Sequence, residues 1–201
     1  RAECLAIVGT RHPTPYGTEV ATRVGRHAAE RGFVVASGLA EGIDAAAHKG
    51  CLSARGATVA VLAHGLDRIY PANHEDLAHE IVESGGCLVS EYPPTTGVRR
   101  NQFVERNRLQ SGVSQCVIVV ETDVNGGTMH TARFAKEQGR AVACVRHSEA
   151  HSDMPQTQGN RKLLADSGTT ALASTEDMDK LLGRLSGEPE AEVGIQLELF
   201  Q

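Results

Sequence analysis

Six short stretches of the chain are almost wholly apolar: residues 5–8, 33–36, 58–63, 87–89, 116–120 and 141–145. Strands with one wet face alternate apolar and polar residues, whereas strands covered on both faces are apolar at nearly every position. Between these runs lie longer helix-like stretches at 17–31, 43–54, 74–83 and 131–138. Regular alternation of the two kinds predicts an α/β fold, a mostly parallel sheet with helices on both faces. In such sheets ligands meet the protein at the carboxyl ends of the strands, beside the point where strand order reverses. The loops that follow the strands therefore carry the functional reading.

The rest of the chain fits around this frame. Residues 99–114 read as a helix, with Phe103, Val104 and Leu109 turned inward. The polar stretch 147–160 is expected as a surface loop, and a small final strand flanked by helices is expected within 163–185. From Ser186 the sequence Ser-Gly-Glu-Pro-Glu-Ala-Glu has the composition of a solvated linker. One domain over 1–185, then an acidic linker and apolar peptide over 186–201, is the expected organisation. The longest apolar run is far below the roughly 18 residues of a membrane span. Charged Arg1 and Glu3 give no signal-peptide pattern. Five widely spaced cysteines without a C-x-x-C pair argue against a disulfide framework or a zinc knuckle. A reduced, cytoplasmic protein is expected.

A formal net charge of −5 excludes a basic coat over the whole surface. The absence of Trp argues against a mechanism built on rows of stacking platforms. Local chemistry is more informative. The first strand ends in Gly9-Thr10-Arg11, where glycine admits a ligand to the backbone, Thr10 donates a hydroxyl and Arg11 can fork onto a phosphate. It is not a G-x-G-x-x-G dinucleotide fingerprint. The second strand leads through Ser37-Gly38-Leu39-Ala40-Glu41-Gly42-Ile43-Asp44 into a helix, whose exposed N–H groups suit an anion. Asp44 and His48 share one helix face. They would serve an enzyme as an acid–base pair, but no nucleophile or metal ligand joins them. The preferred reading places Asp44 at the positive helix end with His48 hydrogen-bonded beneath it.

The loop from His64 to Asn73 is rich in turn residues, and Asn73 is a candidate helix cap. Ser90-Glu91-Tyr92-Pro93 forms another carboxyl-end loop. Next come Arg99, Arg100, Arg106 and Arg108 among Asn101, Gln102 and Asn107, with Glu105 the one acid between them. Arginines mixed with amide side chains form a phosphate-positioning set. The fifth strand leads to Gly126-Gly127-Thr128, again a glycine pair before a helix. Three such loops on one sheet edge, beside an arginine-rich helix, point to a phosphate-bearing ligand. His147, His151 and Asp153 have a spacing compatible with metal binding. No rigid scaffold is expected there, so neither metal nor cofactor is assigned.

Taken in order, five sets of residues resemble the DNA-processing protein A family (DprA, also called Smf). They are Gly9-Thr10-Arg11; Ser37 through Asp44 with His48; Gly65-Leu66-Asp67 with Tyr70-Pro71 and Asn73; Ser90-Glu91-Tyr92-Pro93; and Arg106-Asn107-Arg108 with Ser111-Gly112. The resemblance covers about residues 4–170. It implies an extended Rossmann-like domain that binds single-stranded DNA, dimerises and loads the recombinase RecA during natural transformation, without catalysis. On this resemblance Arg11 contacts a DNA phosphate and the turn from Gly38 to Asp44 shapes the groove floor. Arg106 and Arg108 flank that floor, Asn107 fixes a loop or a phosphate, and Phe103 holds the family's aromatic position. The expected DNA-binding set is Gly9, Thr10, Arg11, Ser37, Gly38, Leu39, Gly42, Asp44, Arg100, Phe103, Arg106, Asn107, Arg108, Gly126, Gly127 and Thr128.

Two departures stand out. Relatives often carry a Ser-Gly-Ser-Leu-Ile-Thr-Ala-like loop where this chain has Gly126-Gly127-Thr128-Met129-His130-Thr131-Ala132, so His130 replaces an aliphatic. Gln110 replaces another aliphatic. The small helical domain and winged-helix domain that flank many relatives are not read in these 201 residues. The Gly-Gly-Thr turn also resembles that of phosphoribohydrolases acting on nucleoside monophosphates, the alternative enzymatic reading. Met129 and His130 stand where those enzymes have acids. Finally, Gln196-Leu197-Glu198-Leu199-Phe200 resembles the pentapeptide by which bacterial proteins dock on the DNA-polymerase sliding clamp. Gln196 would reach a rim, and Leu197, Leu199 and Phe200 would fill apolar pockets. The alternative is that this peptide packs on its own domain or on a second copy.

Overall fold

The structure, a computed structural model, describes residues 3–188. Seven strands form one all-parallel sheet: β1 (Cys4–Val8), β2 (Val34–Ser37), β3 (Thr58–Val61), β4 (Cys87–Val89), β5 (Cys116–Val119), β6 (Ala141–Val145) and β7 (Thr169–Leu172). Six come from the apolar runs, and β7 is the small final strand. Their spatial order is β4-β3-β2-β1-β5-β6-β7. Leu5 is in register with Val35 and Cys116, and Ala6 with Ala36 and Val117. All six are fully buried, three toward each face, which is why these strands carry no alternation.

Among the described residues, eight α-helices complete the fold: α1 (Pro15–Glu30), α2 (Ile43–Ser53), α3 (Glu75–Glu83), α4 (Arg100–Gly112), α5 (Gly127–Glu137), α6 (Glu149–Ser152), α7 (Gln158–Leu164) and α8 (Thr175–Ser186). On one face, Val20 and Val24 of α1, Ile43 and Ala47 of α2, and Met178 and Leu182 of α8 pack with Leu5, Ile7, Val35 and Ile118. Leu77, Ala78 and Ile81 of α3 pack with Ala60 and Leu62. On the other face, Ala132 and Ala135 of α5 and Leu163 of α7 meet Ala6, Val8, Val117 and Val119, and α4 lies alongside α5. The chain steps outward from β1 to β4, crosses through α4 to β5, then steps outward the other way. Right-handed crossovers put the connecting helices of the two halves on opposite faces and the reversal point between β1 and β5, while α8, which follows β7, packs on the face of α1 and α2.

Local chemistry sets the helix starts. Thr14 caps α1 by accepting the Gly17 N–H at 2.9 Å, and Pro15 takes the first helical position. The helix therefore begins earlier than its apolar periodicity suggests. Helices α1 and α2 touch closely because position 50 is glycine. A Cβ there would lie 2.0 Å from the Thr22 carbonyl oxygen.

The polar stretch 147–160 is not a loop. It holds α6, a 3-10 turn at Pro155–Thr157 and the first turn of α7, with Thr157 and Asn160 buried. Asn160 Nδ2 donates to the carbonyls of Val120 (2.7 Å) and Val145 (3.0 Å), while its Oδ1 accepts the Thr122 N–H at 2.9 Å. One amide thus satisfies backbone groups at the ends of two strands. No helix among the described residues is long and apolar enough to cross a membrane. Gln196, Leu197, Leu199 and Phe200 lie outside the described residues.

Candidate nucleic-acid interface

The carboxyl ends of the central strands open into a cavity of about 740 Å³. It lies at the reversal point between β1 and β5, and five segments wall it. Gly9, Thr10, Arg11 and His12 follow β1; Asp44 begins α2; Tyr70 comes from the loop after β3. Helix α4 gives Arg100, Phe103, Arg106, Asn107 and Gln110, and the start of α5 gives Gly126, Gly127, Thr128 and His130.

The β1 loop is fixed by a buried carboxylate. Glu121, fully buried just past β5, accepts the Thr14 N–H at 2.8 Å and the Thr14 hydroxyl at 2.6 Å. Its own carbonyl accepts the Thr10 N–H at 2.7 Å. This leaves Arg11 exposed at the cavity, its guanidinium 4.7 Å from the centroid of the Phe103 ring. The Tyr70 ring lies 5.8 Å from the same ring. A guanidinium over an aromatic face is held by the ring quadrupole while its N–H groups remain available. Arg11 and Arg100 enter no ion pair among the described residues. Arg108, outside the cavity, is exposed and paired with Glu91.

Arg106, expected to flank the groove floor, lines the cavity from a buried position. Its side chain is buried and donates to the carbonyl of Gly38 at 2.9 Å and to that of Val61. Burial, above all, lowers its pKa to about 10, with Asp44 acting in the opposite sense. Asp44 in turn accepts the Gly38 N–H at 3.0 Å. Burial raises its pKa, against the charge of Arg106 and its hydrogen bonds. Both groups fit because residue 38 is glycine: a Cβ would stand 2.4 Å from Arg106 Nη1 and 2.5 Å from Asp44 Oδ2. Arg106 thus ties α4 to the β2 and β3 ends and forms an inner wall.

The start of α5 supplies the complementary wall. Gly126 occupies the N-cap without a side-chain hydrogen bond, so no side chain caps the first amides of α5. Unpaired helix N-terminal amides carry partial positive charge and favour anions. Asn107 Nδ2 donates to the Gly127 carbonyl at 3.2 Å and joins α4 to this turn.

The cavity therefore gathers Gly9, Thr10, Arg11, Asp44, Arg100, Phe103, Arg106, Asn107, Gly126, Gly127 and Thr128 from the expected set. Ser37, Gly38, Leu39, Gly42 and Arg108 are not among its lining residues. The Ser37 hydroxyl donates to the Ile7 carbonyl at 2.6 Å. Leu39 is buried with φ of 58°, and the His74 ring holds its carbonyl at 2.8 Å. His48 is buried and bonded through Nδ1 to the Thr58 hydroxyl at 2.7 Å, as an internal rather than catalytic residue would be. His147, His151 and Asp153 do not converge. They engage the Val120 carbonyl, the Ser148 hydroxyl and Arg161 respectively. Sequence reasoning did not assign His12 or Tyr70. His12 adjoins Arg11 and was within reach of the loop argument; Tyr70 enters only through the folding of the β3 loop.

The DNA recombination-mediator protein A family matches residues 1–183 of the chain. The putative DNA processing protein DprA of Mycobacterium tuberculosis is 46% identical over 140 residues, 70% of this chain and 36% of its own length. Protein Smf of Synechocystis is 35% identical over 196 residues, 98% of this chain and 47% of its own. The chain thus spans half or less of either relative. Among solved structures, DNA processing protein A from Helicobacter pylori, studied for its single-stranded DNA binding mode, superposes with a TM-score of 0.80 at 28% identity. That match covers 92% of this chain and 80% of the other. With its Rossmann-like sheet, its ordered motifs and a family match that runs nearly end to end, this chain belongs to the DNA recombination-mediator protein A (DprA/Smf) family.

Proposed function

We propose that the cavity holds the phosphates of single-stranded DNA and that the protein is a non-catalytic recombination mediator, protecting the strand and helping a RecA-type recombinase load on it. The observation that carries this reading is the pairing of Arg11 and Arg100, two cations with no carboxylate partner among the described residues, with the uncapped start of α5 on one cavity. Family membership and the single-stranded DNA binding of the Helicobacter pylori relative support it. Phosphate contacts position a strand without reading its bases, so little sequence preference is expected. In this reading the protein works as a homodimer in the cytoplasm.

Arg11→Ala and Arg100→Ala should each weaken binding of a fluorescent oligo-dT by about tenfold, the loss of one charge-assisted hydrogen-bonded contact. Thermal unfolding should be unchanged. Wild-type affinity in both variants would refute the assignment. The C-terminal peptide Gln196-Leu197-Glu198-Leu199-Phe200 is proposed to dock on the DNA-polymerase sliding clamp. Its deletion should abolish retention on purified clamp and leave oligo-dT affinity intact; retention by the truncated chain would refute the docking.

A further inference from the structure

His130 is where this chain departs from the aliphatic of its resemblance, and the structure puts it on the cavity wall. It is exposed in the first turn of α5. His12, exposed beside Arg11, lines the same cavity. Neither imidazole has a hydrogen-bond or ion-pair partner among the described residues, unlike His27, His48, His64, His74 and His147, each of which does. Two exposed imidazoles without partners thus stand on a wall that already carries arginines and a bare helix N-terminus.

Resting on the phosphate reading above, we propose that His12 and His130 form a titratable part of the binding wall, taking up protons as the DNA phosphates enter. The charged groups that share the cavity are the guanidinium groups of Arg11, Arg100 and Arg106 and the carboxylates of Asp44 and Asp123, with the Tyr70 phenol also present. Three cations against two anions leave a narrow positive excess, which two protonated imidazoles would triple. The carboxylates are already engaged: Asp44 by the Gly38 N–H and Asp123 Oδ1 by the Asn125 N–H at 2.7 Å. An entering phosphate, as a nearby opposite charge, favours the protonated form of an imidazole that it touches. Histidine is the side chain whose charge changes between pH 5 and 8, so the coupling falls in the physiological range.

The test is oligo-dT affinity of the full chain at constant ionic strength from pH 8 to pH 5.5, for wild type, His12→Gln, His130→Leu and the double variant. Linkage requires log K to rise by up to about one unit per pH unit for each proton taken up. The wild type should tighten as pH falls. Each single variant should lose part of that slope, and the double variant should be flat. A salt titration should also be steeper at pH 6 than at pH 8 for wild type only, since added charge releases more counterions. A wild type without pH dependence, or a double variant that keeps the wild-type slope, overturns the proposal. If salt dependence persists in that case, phosphate binding stands and only the histidine role falls.

Discussion

Arg106 shows how one residue's role depends on partners far away in sequence. Among exposed-looking Arg and Asn neighbours it reads as a phosphate contact, yet Gly38, 68 positions earlier, opens the space that buries it. Nothing in the local spacing announces that cradle. Arg106→Ala would remove the charge that offsets the burial of Asp44 and leave the Gly38 and Val61 carbonyls without that donor, a loss of about 2–3 kcal/mol. We expect that loss in chemical denaturation, and an unchanged midpoint would contradict the inner-wall role. Gly38→Ala should be destabilising for the same reason, since its Cβ meets both charged groups. His48 gives a pH-dependent counterpart. Burial, then the charges of Arg106 and His74, lower its pKa from 6.5 to about 3. Between those values the folded state binds fewer protons than the unfolded chain. Stability present above pH 6.5 is therefore lost as pH falls toward 3. His48→Gln should flatten part of that acid slope in denaturation at stepped pH; parallel slopes would contradict this origin.

The strands were legible because burial on both faces leaves an unbroken apolar signature, as in Cys116–Val119 and Ala141–Val145. Helix α4 was legible as a helix, but Phe103, Val104 and Leu109, expected to turn inward, are only half-buried, while the polar Gln102, Arg106, Asn107, Gln110 and Ser111 are the buried residues. Residues 147–160 were misread because their contribution is polar: Asn160 is buried to satisfy strand-end backbone groups, a demand visible only once β5 and β6 are adjacent. Asn160→Ala should leave two buried carbonyls and an amide without that partner, costing about 2–3 kcal/mol. Hydrogen exchange should then accelerate at Thr122 and along α7, and unchanged protection would contradict the role. Helices α1 and α2 depend on close contact at Gly50. Gly50→Val should lower the melting temperature through overpacking against the Thr22 carbonyl; a neutral effect would show that the helices can separate without cost.

At the scale of the whole molecule, an acidic chain brings Arg11, Arg100 and the buried Arg106 together where strand order reverses. The alternation of strands and helices made a parallel sheet legible and pointed to its carboxyl edge. It did not reveal that β1 and β5 would be neighbours, and that adjacency brings Arg11 beside the start of α5. Net charge of −5 would repel DNA if it were spread evenly, so the proposed binding must rest on this local field and be sensitive to salt. The direct measurement is oligo-dT affinity against salt concentration at pH 8. About three neutralised phosphates predict that log K falls against log salt with a slope of about −2. An affinity that does not change with salt would contradict phosphate binding at this cavity.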